Sequence, residues 1–178
     1  SLNLVDKVWF VQLRAKDGSI VHHGDEQVGD KIGDDEKMDI YLNRVNPLVN
    51  YIGFVINSYS GQELDDVDHA ACHLFDPQTN IDMTSYVLTN SQSLDGYTAL
   101  VVGCLYRGTS KGEWGFCIIS EAAQGKTVKE NVDVLQNYLR RYPPQVPEEE
   151  EVSVMYSEMP SHVPLVDEDI DLSAPPPG

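Results

Sequence analysis

Between Val8 and Ser120 apolar and polar residues alternate in short runs bounded by turn-forming residues, a rhythm that predicts β-strands rather than helices. The runs are Val8 to Leu13, Ser19 to His23, Lys37 to Leu42, Tyr51 to Tyr59, His69 to Phe75, Ile81 to Leu88, Tyr97 to Tyr106 and Glu113 to Ser120. Their joints carry reverse-turn chemistry. Asp17-Gly18 is a hairpin signal whose glycine readily takes positive φ, Asn46-Pro47 and Asp76-Pro77 start turns, and Gly108 to Gly112 forms a hairpin tip. This spacing implies mostly antiparallel neighbours, and hence a mainly β fold of the antiparallel β-sandwich type.

The period then becomes helical. Thr127-Val128-Lys129-Glu130 is a capping box, in which the Thr side chain and the Glu satisfy exposed amides of the first turn. Val128, Val132, Leu135, Leu139 and Tyr142 recur on one helical face, and Arg140 and Arg141 suit the negative end of the helix dipole. Pro143-Pro144 ends the helix. One C-terminal amphipathic helix after an all-β run is expected to pack on the sheet. The pattern gives a domain over 1–142 and, over 143–178, a flexible, acidic, proline-rich tail with nine carboxylates and no Lys or Arg. A short interaction motif around Val163 to Leu172 would suit such a tail.

Charge narrows the function classes. The chain holds 12 basic and 29 acidic residues, a net charge of −17, which repels nucleic acid and anionic membrane surfaces. The longest apolar stretch, Ala99 to Leu105, is far short of the about 20 residues that a transmembrane helix needs. With no recognisable signal peptide, a cytoplasmic location is expected. The first residue is Ser rather than Met, which fits a fragment beginning partway into a domain. Cys72, Cys104 and Cys117 form no CxxC pair and sit inside apolar runs, as buried reduced thiols do.

The densest chemistry lies in Gly24-Asp25-Glu26-Gln27-Val28-Gly29-Asp30-Lys31-Ile32-Gly33-Asp34-Asp35-Glu36, where six carboxylates and three glycines share thirteen residues. So much like charge calls for a neutralising partner. Carboxylate and carbonyl oxygens are the ligands calcium selects, and glycines let the backbone turn sharply enough to add its own oxygens. The segment is not an EF-hand, because the D-x-[DN]-x-[DN]-G spacing is missing. A solvated acidic face is the competing reading of the same residues.

Other signals are weaker. Gly108-Thr109-Ser110-Lys111-Gly112 matches G-x-S-x-G, but it lies between two strands rather than between a strand and a helix. Gly125-Lys126-Thr127 opens a helix, yet a phosphate loop needs glycine where Ser120 stands. His22-His23 and His69-Cys72-His73 lack the partners of a closed zinc set, so strand histidines satisfied by hydrogen bonds are expected. No constellation argues for an enzyme.

The chain resembles the TerD family, calcium-binding domains linked to tellurium resistance and general stress response. The matching residues are Lys16-Asp17-Gly18-Ser19-Ile20-Val21-His22-His23-Gly24-Asp25, the Gly29 to Glu36 segment ending in Gly33-Asp34-Asp35-Glu36, and Tyr51-Ile52-Gly53-Phe54-Val55-Ile56-Asn57-Ser58-Tyr59. Leu105-Tyr106-Arg107 and Glu113-Trp114-Gly115-Phe116 are similar to the family's late strand pair, and the similarity runs from Val5 to Tyr142. The resemblance implies a β-sandwich with one or two calcium ions held by loops at one end. Carried over, Asp25, Asp34, Asp35 and Glu36 would be the main metal ligands, joined by Glu26, Asp30 and the backbone oxygens of Val28 and Ile32. Asn57 with Asp65, Asp66 and Asp68 would form a second polar loop completing the shell. The family's earlier D-L-D-x-S segment would stand ahead of the first residue here, leaving one site incomplete.

The function expected is a non-enzymatic, calcium-binding stress-response or scaffold domain whose partners are calcium ions and other proteins. The alternative is a protein–protein adaptor that uses the acidic tail and has no functional metal site.

Overall fold

A computed structural model of the protein describes residues 2–25, 36–58, 61–64, 71–87, 94–125 and 127–146, and of Asp25 the backbone only. Among the described residues seven strands and one α-helix form. They are β1 (Ile20–Asp25), β2 (Glu36–Ile40), β3 (Tyr51–Asn57), β4 (Ala71–Asp76), β5 (Ile81–Val87), β6 (Ala99–Arg107), β7 (Trp114–Ala123) and α1 (Val128–Arg141). All pairings are antiparallel: β1 with β2, β4 with β5, and a three-stranded sheet in the order β3-β6-β7.

β6 is the middle strand of the three-stranded sheet. Its residues Ala99 to Leu105 are buried, because apolar side chains on both of its faces meet other layers. Leu100 and Val102 join Leu64 and Leu94 in a core completed by Phe54, Ile56, Ala122, Cys72 of β4 and Tyr86 of β5. Val101 and Cys104 join Ile119 and Leu139 on the opposite side, where Val134, Leu135 and Tyr138 of α1 pack. The result is a β-sandwich with the helix laid on its outer face. Each full burial of a Leu or Val here stabilises by about 1.5–3 kcal/mol.

Val101 and Cys104 lie three apart yet meet the same helix, because the register shifts between Val101 and Gly103 on the β7 side and opposite Phe54 and Val55 on the β3 side. Such bulges re-aim side chains. Ser120, next to the β7 shift, takes a φ of 55°, uncommon for a residue with a Cβ. Its hydroxyl hydrogen-bonds the Tyr86 hydroxyl and so ties β7 to β5.

The helix starts where the capping box places it: the Thr127 hydroxyl accepts from the Glu130 N–H at 3.3 Å. Its buried face keeps Leu135 and Leu139 of the expected set and differs at the other positions. Asn131 and Leu139 are buried, Val134, Leu135 and Tyr138 face the sheet, and Tyr142 is exposed. The helix seats closely, since a Cβ at Gly53 would run into the Leu135 side chain and one at Gly125 would collide with Asn131 Oδ1.

Two strand expectations need correction. Val8 to Leu13 is not a strand but holds a tight turn in which Trp9 and Gln12 exchange both backbone hydrogen bonds at 3.0 Å. The Asp6 carboxylate causes it, accepting from the Lys7 N–H, the Lys16 N–H and the Gln12 amide and drawing residues 6–16 into a loop. The run Lys37 to Leu42 stops at Ile40, and Leu42–Arg44 forms a 3-10 turn. The proposed tail from residue 147 onward lies outside the described residues. Among the described residues no helix is long and apolar enough to cross a membrane.

Candidate functional site

The β1–β2 pair carries the acid-rich segment. Ile20, Val21 and His22 pair with Ile40, Asp39 and Met38 in regular register, and the ladder then shifts so that Asp25 becomes the Cα partner of Glu36. Two residues of β1, His23 and Gly24, thus oppose Lys37 alone, which makes a β-bulge. Gly24 has φ +83°, a backbone state that costs a residue with a Cβ roughly 1–2 kcal/mol.

His22 holds this bulge. It is buried, its N–H donates to the Leu13 carbonyl, and its Nδ1 accepts from the Gly24 N–H at 2.8 Å. That hydrogen bond puts the ring proton of the neutral imidazole on Nε2. On the other side of the ladder His23 Nε2 meets Asp39 Oδ2 at 2.8 Å, with Lys37 Nζ 3.8 Å from Asp39 Oδ1. His73 Nδ1 likewise meets Asp82 Oδ1 at 2.8 Å. Strand histidines satisfied by hydrogen bonds are therefore what these three positions show, while His69 lies outside the described residues.

The base of the hairpin is clamped from below. Asp17 Oδ1 accepts from the Ser19 N–H at 2.9 Å and Oδ2 from the Asn46 N–H at 2.8 Å, while Gly18 takes φ +73° to close the turn. Burial alone would raise the Asp17 carboxyl, but hydrogen bonds from the Ser19 side chain and from the N–H groups of Asn46, Ser19 and Asp17 itself outweigh it. They hold the group below its ordinary 3.8. Asp6 is depressed for the same kind of reason: burial raises it, and the Lys16, Gln12 and Lys7 donors, with the Lys16 charge, overcome that. Arg107 then fixes the segment after the 3-10 turn. Its Nε donates to the Val49 carbonyl at 2.7 Å, its Nη2 to the Asn46 and Val45 carbonyls at 3.0 and 3.3 Å, and its guanidinium lies 4.5 Å from the Trp114 ring centre.

Of the expected metal ligands, the structure thus brings the backbones of Asp25 and Glu36 together at the mouth of the hairpin. Glu26, Val28, Asp30, Ile32, Asp34 and Asp35 lie outside the described residues, as do Asp65, Asp66 and Asp68 of the second polar loop. Asn57 ends β3, opposite Ala99. Among the described residues no three His, Cys, Asp or Glu side chains gather around a common point. Ser110 of the G-x-S-x-G match stands in the β6–β7 turn, its N–H bonded to Glu113 Oε2. Gly125 and Thr127 serve the helix start.

His22, Asp17 and Arg107 are positioning residues that composition does not single out. Their signal was local: a histidine two residues before a glycine, an Asp-Gly turn, and an arginine ending a strand whose partner begins with Trp.

The TerD domain family model matches residues 3–133, nearly three quarters of the chain and all seven strands. The chain belongs to the TerD family. This TerD-family chain is 34% identical over 137 residues to the tellurium resistance protein TerZ of Serratia marcescens, a match covering 76% of this chain and 68% of the relative. It is 33% identical over 124 residues to general stress protein 16U of Bacillus subtilis (strain 168), and 32% identical over 124 residues to TerD of Serratia marcescens. Each of these two matches covers 67% of this chain and 62% of the relative, so the chain spans under two thirds of their length. The crystal structure of a telluride resistance protein (TerD) homologue from Streptomyces coelicolor A3(2) superposes with a TM-score of 0.53 at 19% identity. That superposition covers 65% of this chain and 67% of the other, and it shows the shared fold. The TerD-family motifs have structural roles here. Asp17-Gly18 builds the clamp, His22 to Asp25 the bulge, Gly53 the seat for Leu135, and Arg107 with Trp114 the stacked pair.

Proposed function

We propose that this TerD-family chain is a calcium-binding, non-enzymatic stress-response module that presents an ordered surface to other proteins. The observation that carries the reading is the Cα pairing of Asp25 with Glu36, which makes the two ends of the acid-rich segment meet. At an effective dielectric near 20, two carboxylates about 6 Å apart repel by roughly 2–3 kcal/mol. A segment with six carboxylates whose ends are tied to one hairpin needs a counter-charge.

The donor chemistry fits calcium. Asp25, Asp34, Asp35 and Glu36 would hold the ion, with Glu26, Asp30 and the carbonyls of Val28 and Ile32 as further oxygens. The set is all oxygen, as a hard cation taking six to eight ligands requires. Bound calcium supplies charge neutralisation and cross-linking of the segment. The chain's own part is done by His22 and Gly24, which fix the backbone at the entry, and by Asp17 and Arg107, which hold the hairpin base. The relatives, a tellurium resistance protein and a general stress protein by name, support a role in stress response.

Calorimetric titration of the full chain with calcium tests this. Binding heat and a rise in Tm reversed by chelator are expected, amounting to about 2.7 kcal/mol at a hundredfold excess over Kd. The absence of both binding heat and a Tm shift would overturn the reading.

A further inference from the structure

Cys104 and Cys117 are Cα partners on the adjacent antiparallel strands β6 and β7, and their Sγ atoms lie 3.2 Å apart. Both belong to the cluster covered by Val134, Leu135, Tyr138 and Leu139 of α1. Cys104 is fully buried and Cys117 half-buried. Cys72 packs in the separate core on the other side of the sheet, with Leu64, Leu94, Leu100 and Val102.

We propose that Cys104 and Cys117 form a dithiol oxidation site that hydroperoxides convert reversibly into a cross-strand disulfide. Directly opposite residues of an antiparallel pair have Cα atoms about 4.5–5.5 Å apart, inside the about 4.4–6.8 Å range that a disulfide spans. The backbone therefore already stands where the bond needs it. The thiols are in mutual contact, so neither strand has to slide.

The order of events follows from exposure. The Cys117 thiolate attacks one oxygen of the hydroperoxide: an S–O bond forms, the O–O bond breaks, and the departing oxygen leaves protonated as water or alcohol. The Cys104 sulfur then attacks the Cys117 sulfenic acid. The S–S bond forms, the S–O bond breaks, and the hydroxyl leaves as water with the Cys104 proton. Two thiols lose two electrons and two protons in total, and the hydroperoxide takes both pairs. Burial, reinforced by the hydrogen bond and charge of Cys117, pushes the Cys104 thiol well up. The second step is therefore expected to speed up with rising pH. The proposal is independent of the metal reading.

The test uses the full chain, exposed to hydrogen peroxide, quenched by alkylation under denaturing conditions, and mapped by mass spectrometry. The expected result is loss of two of the three alkylatable thiols, recovery of a linked Cys104–Cys117 peptide, alkylated Cys72, and full reversal by dithiothreitol. Cys104→Ser should leave a Cys117 sulfenic acid that dimedone traps. If that variant does not fold, mapping of the unmodified chain decides alone. Three alkylated thiols, a disulfide through Cys72, or Cys117 over-oxidised beside an alkylated Cys104 would each overturn the proposal.

Discussion

His22 Nδ1 accepts the Gly24 N–H at 2.8 Å, so a buried imidazole holds the bulge from which the acid-rich segment departs. Replacing His22 with Ala strips the part-buried Gly24 N–H of its acceptor and is expected to cost about 1–3 kcal/mol. Gly24→Ala forces a Cβ into a left-handed backbone and is expected to cost roughly 1–2 kcal/mol. Urea unfolding measures both. If the calcium reading is right, titration calorimetry will also show weaker calcium binding in each variant than in Arg107 variants of equal stability.

Arg107 donates to three carbonyls and stacks on Trp114. A lysine has the charge but neither the planar fork nor the stacking face. Arg107→Lys and Arg107→Ala should therefore destabilise by similar amounts, about 2–3 kcal/mol each, because hydrogen bonds to a charged donor are lost in both. A lysine variant with parental stability in chemical denaturation would refute this account of the residue.

Two glycines make a graded test of packing. A Cβ at Gly103 would sit 2.5 Å from the Cys117 carbonyl oxygen, a backbone atom that cannot turn aside, whereas at Gly53 it would meet the end of the Leu135 side chain. Gly103→Ala is expected to reach the upper end of the about 1–3 kcal/mol range for overpacking, and Gly53→Ala the lower end. Adding Leu135→Ala should remove the extra penalty at Gly53 but leave that at Gly103 intact, as a double-mutant cycle will report.

Acid should loosen the hairpin base. The Asp17 carboxyl lies below its ordinary 3.8 in the fold, so the unfolded chain binds the proton more readily. Its stabilising contribution is present above that value and is lost as pH falls through the lower folded value. Stability measured from pH 5 downward should fall less steeply in Asp17→Asn than in the parent. Equal slopes would show that Asp17 is not one of the titrating groups.

Local chemistry made most of the fold legible. Turn residues marked Gly18 and the Gly108 to Gly112 tip, and a capping box marked Thr127, because each acts over a few neighbours. What depends on distant partners was not legible. Val8 to Leu13 has a strand's composition, but Asp6, outside the run, bends it through hydrogen bonds no periodicity encodes. Part of the α1 face escapes a hydrophobic pattern because buried Asn131 counts as polar in it, while Leu135 and Leu139 pack as the spacing predicts. At the site, charge density points to segment 24–36, and the structure adds the meeting of its ends and the bulge that gives His22 its role.

The double burial of β6 also orders events in time. Its hairpin with β7 closes over a short turn at Gly108 to Gly112, whereas its pairing with β3 must bring Asn57 to Ala99 across the whole intervening chain. Long closures are entropically slower than short ones. The hairpin is therefore expected to nucleate refolding, with β3 arriving late, so that damage at Gly103 slows refolding while damage in β3 mainly hastens unfolding.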